Sequence, residues 1–135
     1  MLQIQALDHV ALTVRDPYAS MKWYQAMLGF TQASMEGLSV GPPFILRVSS
    51  DTYLNLFPAD TAIPDPVPHH NTIAMRHVAF RVDYLSIATI EEELRSKGLE
   101  VQGYDYGPRC RSLFISDPDG HQIELIGYGD GVFTS

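Results

Sequence analysis

The chain has 135 residues, 45% of them apolar, and 9 Lys and Arg stand against 16 Asp and Glu for a net charge of −7. That length suits a single domain with a real core, while the acid excess argues against nucleic acid and anionic membrane surfaces as partners, since both need a basic face. One cysteine, Cys110, excludes an intrachain disulfide, and the expectation is a cytoplasmic protein, with no signal peptide at Met1 to Leu7 and no apolar run near the roughly 20 residues of a spanning helix.

The first predicted element is a strand in which Val10, Leu12 and Val14 face one side and His9, Ala11 and Thr13 the other. A helix follows, opened by Asp16 as N-cap with Pro17 at its first position. Its predicted apolar stripe is Tyr18, Met21, Tyr24 and Leu28, and Gly29 suits its C-terminal cap. Strands are expected near residues 31–35, 44–48 and 53–57. The stretch from Pro58 to Pro68 carries four prolines and reads as an extended linker.

The pattern then recurs. Asp8-His9-Val10-Ala11-Leu12-Thr13-Val14 matches Arg76-His77-Val78-Ala79-Phe80-Arg81-Val82, with His9 and His77 separated by 68 positions. Each stretch leads to an acid (Asp16 or Asp83), a helical pattern and a Gly-apolar pair (Gly29-Phe30 or Gly98-Leu99). Tyr53-Leu54-Asn55-Leu56-Phe57 corresponds to Gln122-Ile123-Glu124-Leu125-Ile126, lying 46 residues after His9 and 47 after His77 when counted from Asn55 and Glu124. The second helix is expected from about Ser86, with Ile87, Ile90 and Leu94 as its stripe and Glu91–Arg95 and Glu93–Lys97 as (i, i+4) pairs. Strands are expected near residues 100–104, 112–115 and 122–126, the last after the turn Asp117-Pro118-Asp119-Gly120. The fold class is therefore α+β: a single domain, 1–135, of two βαβββ modules at about 1–60 and 72–130, joined by the proline-rich linker.

Alternation also places the chemistry. His9 and His77 share the strand face opposite the apolar residues, and Asn55 and Glu124 do the same on the closing strands. If the modules pair by pseudo-twofold symmetry, two imidazoles and one carboxylate form a facial set with open positions, suited to Fe(II) and also to Mn, Zn or Ni. The bland alternative is a buried polar network without metal. Arg81 shares the face of His77, where it would hold an anionic group or pair with an acid. Tyr53 and Phe57 flank Asn55 and would stack on an aromatic substrate or pack as plain wall. Tyr104, Tyr106, Arg109 and Arg111 precede a closing strand and are candidates for a substrate loop, Tyr104 and Arg111 foremost. His69-His70 reads as an adventitious pair in the linker, and Cys110 as a bystander thiol.

At Leu7-Asp8-His9-Val10-Ala11-Leu12, Trp23-Tyr24, Leu28-Gly29-Phe30, Arg76-His77-Val78-Ala79-Phe80 and Asp117-Pro118-Asp119-Gly120-His121-Gln122-Ile123-Glu124-Leu125, the sequence resembles the glyoxalase / bleomycin-resistance / extradiol-dioxygenase superfamily, the vicinal-oxygen-chelate class. The resemblance implies paired βαβββ modules, a cupped mixed sheet holding one divalent metal, a small-molecule substrate and frequent homodimers. Carried over, its ligand positions are His9, Asn55, His77 and Glu124. Asn55 departs from the Glu or Gln usual in glyoxalase I and methylmalonyl-CoA epimerase: it is shorter, is no base and is a weak ligand through its amide oxygen. The intact His9, His77 and Glu124 set favours dioxygenase-like or transferase-like chemistry on a substrate that chelates the metal through oxygens. A glyoxalase I or epimerase-type isomerase and a non-catalytic bleomycin-resistance-like binding protein remain as alternatives.

Overall fold

The computed structural model describes residues 1–133. The chain divides into two compact units, the first Met1–Pro66 and the second beginning at Val67. Each holds one four-stranded mixed sheet and one α-helix. No helix among the described residues is long and apolar enough to cross a membrane.

The first unit runs β1 (His9–Val14), α1 (Pro17–Leu28), β2 (Thr31–Ala33), β3 (Phe44–Arg47) and β4 (Tyr53–Pro58). Its sheet order is β1-β4-β3-β2, with β1 parallel to β4 and the other pairs antiparallel. The order follows from the connections: α1 carries the chain away from β1, and a short turn brings β4 back beside β3. Val14, Tyr24, Phe44, Leu46, Leu54 and Leu56 bury at 3% exposure or less between sheet and helix. Burying six such side chains is the main favourable term in this unit.

Both ends of α1 are capped as the sequence predicts. The Asp16 carboxylate accepts the amides of Tyr18 and Ala19, and Pro17 opens the helix. Gly29 takes φ 73°, its amide reaching Gln25 O while that of Phe30 reaches Tyr24 O. The buried stripe differs from expectation. Pro17, Ser20 and Tyr24 face the sheet, whereas Tyr18 is 55% exposed with its ring edge-on to Phe44. Small Ser20 lets the helix lie close to the strands, which turns the bulky Tyr18 outward.

The second unit runs β5 (Val78–Arg81), a 3-10 turn (Tyr84–Ser86), α2 (Ile87–Ser96), β6 (Gln102–Asp105), β7 (Cys110–Ser116) and β8 (Gln122–Tyr128). Its order, β5-β8-β7-β6, repeats that of the first unit. Ile87 and Leu94 of α2 bury with Leu113, Ile115, Ile123 and Leu125. The expected Glu91–Arg95 and Glu93–Lys97 pairs form at 2.6 and 3.1 Å. Gly127 is required where it stands: a Cβ there would lie 2.8 Å from Tyr84 Cα, so only glycine lets the 3-10 turn rest on β8. The Asp117 side chain receives the amides of Asp119 and His121, which sets the turn into β8.

Candidate functional site

Register decides which side chains share the open face of each sheet. In the second unit β5 and β8 pair Ala79 with Glu124 and Arg81 with Ile126, and β7 and β8 pair Phe114 with Glu124 and Ser112 with Ile126. His77, one residue before β5, therefore shares its face with Arg81, Glu124, Ser112 and Phe114. His77 Nε2 lies 2.8 Å from Glu124 Oε1, and its ring stands edge-on to Phe114 at 5.7 Å between centroids. Glu124 is only 5% exposed. A buried carboxylate needs donors to offset its lost hydration. Its other oxygen, Oε2, accepts the hydroxyl of fully buried Ser112.

In the first unit, His9, Asn55, Tyr53, Ile45 and Arg47 share the open face by the same logic, since β1 and β4 pair His9 with Tyr53, and β3 and β4 pair Ile45 with Asn55 and Arg47 with Tyr53. A cleft of about 440 Å³ opens there, walled by Asp8, His9, Met35, Arg47, Tyr53 and Asn55 among others. Asp8 Oδ2 holds His9 Nδ1 at 2.7 Å. A carboxylate on one ring nitrogen fixes the tautomer and leaves Nε2 with its lone pair. Asn55 Oδ1 is buried and has no hydrogen-bond partner among the described residues.

The sequence-derived candidates thus fall into two groups. His9, Asn55 and Tyr53 meet in the cleft of the first unit, while Phe57, farther along β4, does not line it and is 41% exposed. His77 and Glu124 meet in the second unit. Arg81 lies on their face, with its guanidinium 4.9 Å above the Tyr128 ring and paired with no acid among the described residues. Tyr104 pairs in register with Ser112, is 58% exposed and packs its ring against Tyr106 at 4.8 Å. Tyr106 is 48% exposed, and partial desolvation, then the Glu124 charge, raise its phenol pKa.

Arg111 requires a correction. In register with Gly127, it stands on the helix-covered side of β7, with Nη2 3.0 Å from Glu91 of α2 and Nη1 3.0 Å from Asp105. Those hydrogen bonds raise its pKa further, and its donors are spent on structure. Sequence proximity to the loop hid a one-residue change of face. Two residues went unnoticed for the opposite reason. Arg47 and Ser112 reach the open faces only through cross-strand register, and neither carries a motif of its own.

Among the described residues no three His, Cys, Asp or Glu side chains gather into a metal-binding group. The donors that are present do suit a divalent ion. His77 Nε2 and Glu124 Oε1 are 2.8 Å apart, and Ser112 supports the carboxylate from behind as outer-shell partners do. An imidazole and carboxylate set suits Fe, Mn, Ni or Zn.

Comparison with known proteins bears on the whole chain. A family model described as the Glyoxalase/Bleomycin resistance protein/Dioxygenase superfamily matches residues 6–125. The chain is 27% identical to the Arabidopsis thaliana protein named glyoxylase I 4, over 92% of this chain and 71% of that protein. It is also 27% identical to the uncharacterized protein YaeR of Escherichia coli K12, over 93% and 98% of the two chains. The solved glyoxylase/bleomycin resistance protein/dioxygenase domain from Frankia sp. EAN1pec shares the fold, with a TM-score of 0.79 and 21% identity over 96% of each chain.

Proposed function

Because the chain belongs to the Glyoxalase/Bleomycin resistance protein/Dioxygenase superfamily, we propose that it is a divalent-metal-dependent enzyme acting on a small substrate that chelates the metal through oxygens. His9, His77 and Glu124 are the proposed ligands, with Asn55 as a weak fourth ligand or a neighbour of the site. The observation that carries this reading is the 5%-exposed Glu124 carboxylate on an open sheet face, 2.8 Å from His77 Nε2. A group so nearly buried, on the face that the core does not use, is poised to act and not merely to pack.

A bound divalent ion would supply Lewis-acid stabilisation of enolate- or diolate-like charge. Everything else is work for this chain's own side chains. Asp8 orients the His9 ring, and Ser112 fixes the Glu124 carboxylate so that Oε1 stays directed at His77. Asn55 neither gives nor takes a proton at ordinary pH, so a proton relay through that position is not expected. This favours dioxygenase-like or transferase-like chemistry over isomerisation. Arg81, Tyr53 and Tyr104 are proposed to contact the substrate. A cytoplasmic homodimer is the expected form.

The test is metal content by elemental analysis of tag-free protein purified without oxygen, beside a His9→Ala/His77→Ala control. The adjacent His69 and His70 rings, 4.2 Å apart, are replaced in both samples to remove adventitious binding. About one equivalent, lost in the control, is expected. No metal after reconstitution with Fe, Mn, Ni and Zn in turn would sink the reading.

A further inference from the structure

From the cleft of the first unit, we propose that the ligand carries a carboxylate and that Arg47 is its anchor. The proposal deepens the reading above and rests on it only in placing His9 and Asn55 at the same cleft.

Arg47 is the last residue of β3, and strand alternation decides its direction. Phe44 and Leu46 bury against α1, so Ile45 and Arg47 take the open face beside Asn55 and Tyr53. The guanidinium is held before any ligand arrives. Nη1 donates to the Tyr53 hydroxyl at 3.0 Å and to Ser50 O at 3.1 Å, and the group lies 5.0 Å from the Tyr53 ring centroid. Those contacts use one nitrogen and leave the Nη2 and Nε donors for another partner. A planar fork fixed in this way is preorganised for a carboxylate.

Charge balance sharpens the point. In a chain of net charge −7, Arg95, Lys97 and Arg111 are paired with acids. No carboxylate among the described residues pairs with Arg47. Asp8 is the acid in the cleft, and its nearest partner is the His9 ring at 2.7 Å. The rest of the wall includes Met35, Ile45 and Ala33, an apolar bed for a ligand body. A volume of about 440 Å³ matches a small organic acid or one of modest aromatic size. The cleft therefore offers one cation at its rim and apolar surface within, the arrangement that selects an organic monoanion over its neutral isostere.

Phenylacetate and phenylacetamide are suitable probes, because they share shape and differ in charge, and neither offers vicinal oxygens to a metal. Affinities are measured by ligand-observed NMR on the full chain after chelator treatment, so failure of the metal reading leaves the result legible. Phenylacetate is expected to bind about tenfold tighter than phenylacetamide or better, as one charge-assisted hydrogen bond supplies. Arg47→Met is expected to erase that preference by bringing phenylacetate down to the affinity of the amide, and Arg47→Lys to restore part of it. Equal binding of the two probes, no binding of either at millimolar concentration, or a preference that survives Arg47→Met would each overturn the proposal. His9 would then be the group that reads the charge, or the cleft would not bind acids.

Discussion

Ser112→Ala probes the site through a residue that would touch neither metal nor substrate. Ser112 is fully buried, and its hydroxyl donates to Glu124 Oε2, while Glu124 is itself 5% exposed. Removing the hydroxyl leaves a buried carboxylate oxygen without its donor. A hydrogen bond to a charged group contributes about 1.5–3 kcal/mol, and the orphaned partner carries a desolvation cost on top of a small cavity. We expect a loss of about 2 kcal/mol in metal-free protein. With a urea m-value of about 2 kcal/mol per M, the midpoint falls by about 1 M. Glu124→Gln on the Ser112→Ala background separates the pair from its surroundings, because the second change should cost less there than in the wild type. Metal affinity should fall about 10- to 100-fold in Ser112→Ala, as for other outer-shell partners. A midpoint within error of the wild type, together with unchanged metal affinity, would refute the idea that Ser112 holds the carboxylate in place.

Arg111→Met should destabilise the chain by about 1 kcal/mol and leave phenylacetate affinity unchanged, because its partners Glu91 and Asp105 lie off the open face. The same contacts raise the Arg111 pKa, so its contribution is present throughout the working pH range and is lost only as pH rises past the ordinary guanidinium range; urea midpoints of wild type and variant should keep a constant gap from pH 6 to 9. Burial, with the Glu124 charge second, pushes the Cys110 thiol upward, so its reaction with iodoacetamide at pH 8 should be far slower in folded than in denatured protein and should keep rising with pH beyond the range of a free thiol. Gly127→Ala drives a Cβ to 2.8 Å from Tyr84 Cα and should cost about 1–3 kcal/mol by urea denaturation, with the loss centred on the contact between the 3-10 turn and β8.

Much of this was legible in the sequence. Strict alternation in His9–Val14, the Asp16-Pro17 start and the Gly29 stop of α1 are local signals, and the structure keeps all three. The repeat spacing makes His77 the counterpart of His9 and Glu124 the counterpart of Asn55. What failed to show was whatever depends on pairing between strands. Arg111 reads like a loop cation until register with Gly127 puts it on the helix side, and Tyr18 reads like core until Pro17 and Ser20 take the sheet-facing positions beside Tyr24. Arg47 has no signature at all, because its meaning comes from standing opposite Tyr53.

The two units share a frame and differ in what they hang on it. Phe114 stands opposite Glu124 in register, and Ile45 stands opposite Asn55. Ser112, two residues before Phe114, supplies the hydroxyl that satisfies Glu124. The corresponding position before Ile45 is Pro43, which has no side-chain donor or acceptor, and Asn55 Oδ1 is left unmet. One copy of the module has thus fixed a carboxylate against an imidazole. The other has kept an amide and placed a cation, Arg47, at the rim of a cleft. An unmet amide oxygen in a core would be a cost without return; beside His9 and a cleft it is an acceptor waiting for a donor or an ion. Asn55→Leu separates these cases. If the amide serves neither the fold nor the site, the isosteric apolar residue should stabilise the chain and leave ligand and metal affinity alone. If it serves the site, stability should rise while affinity for metal or for phenylacetate falls, and a gain in stability without a loss in either affinity would remove Asn55 from the site.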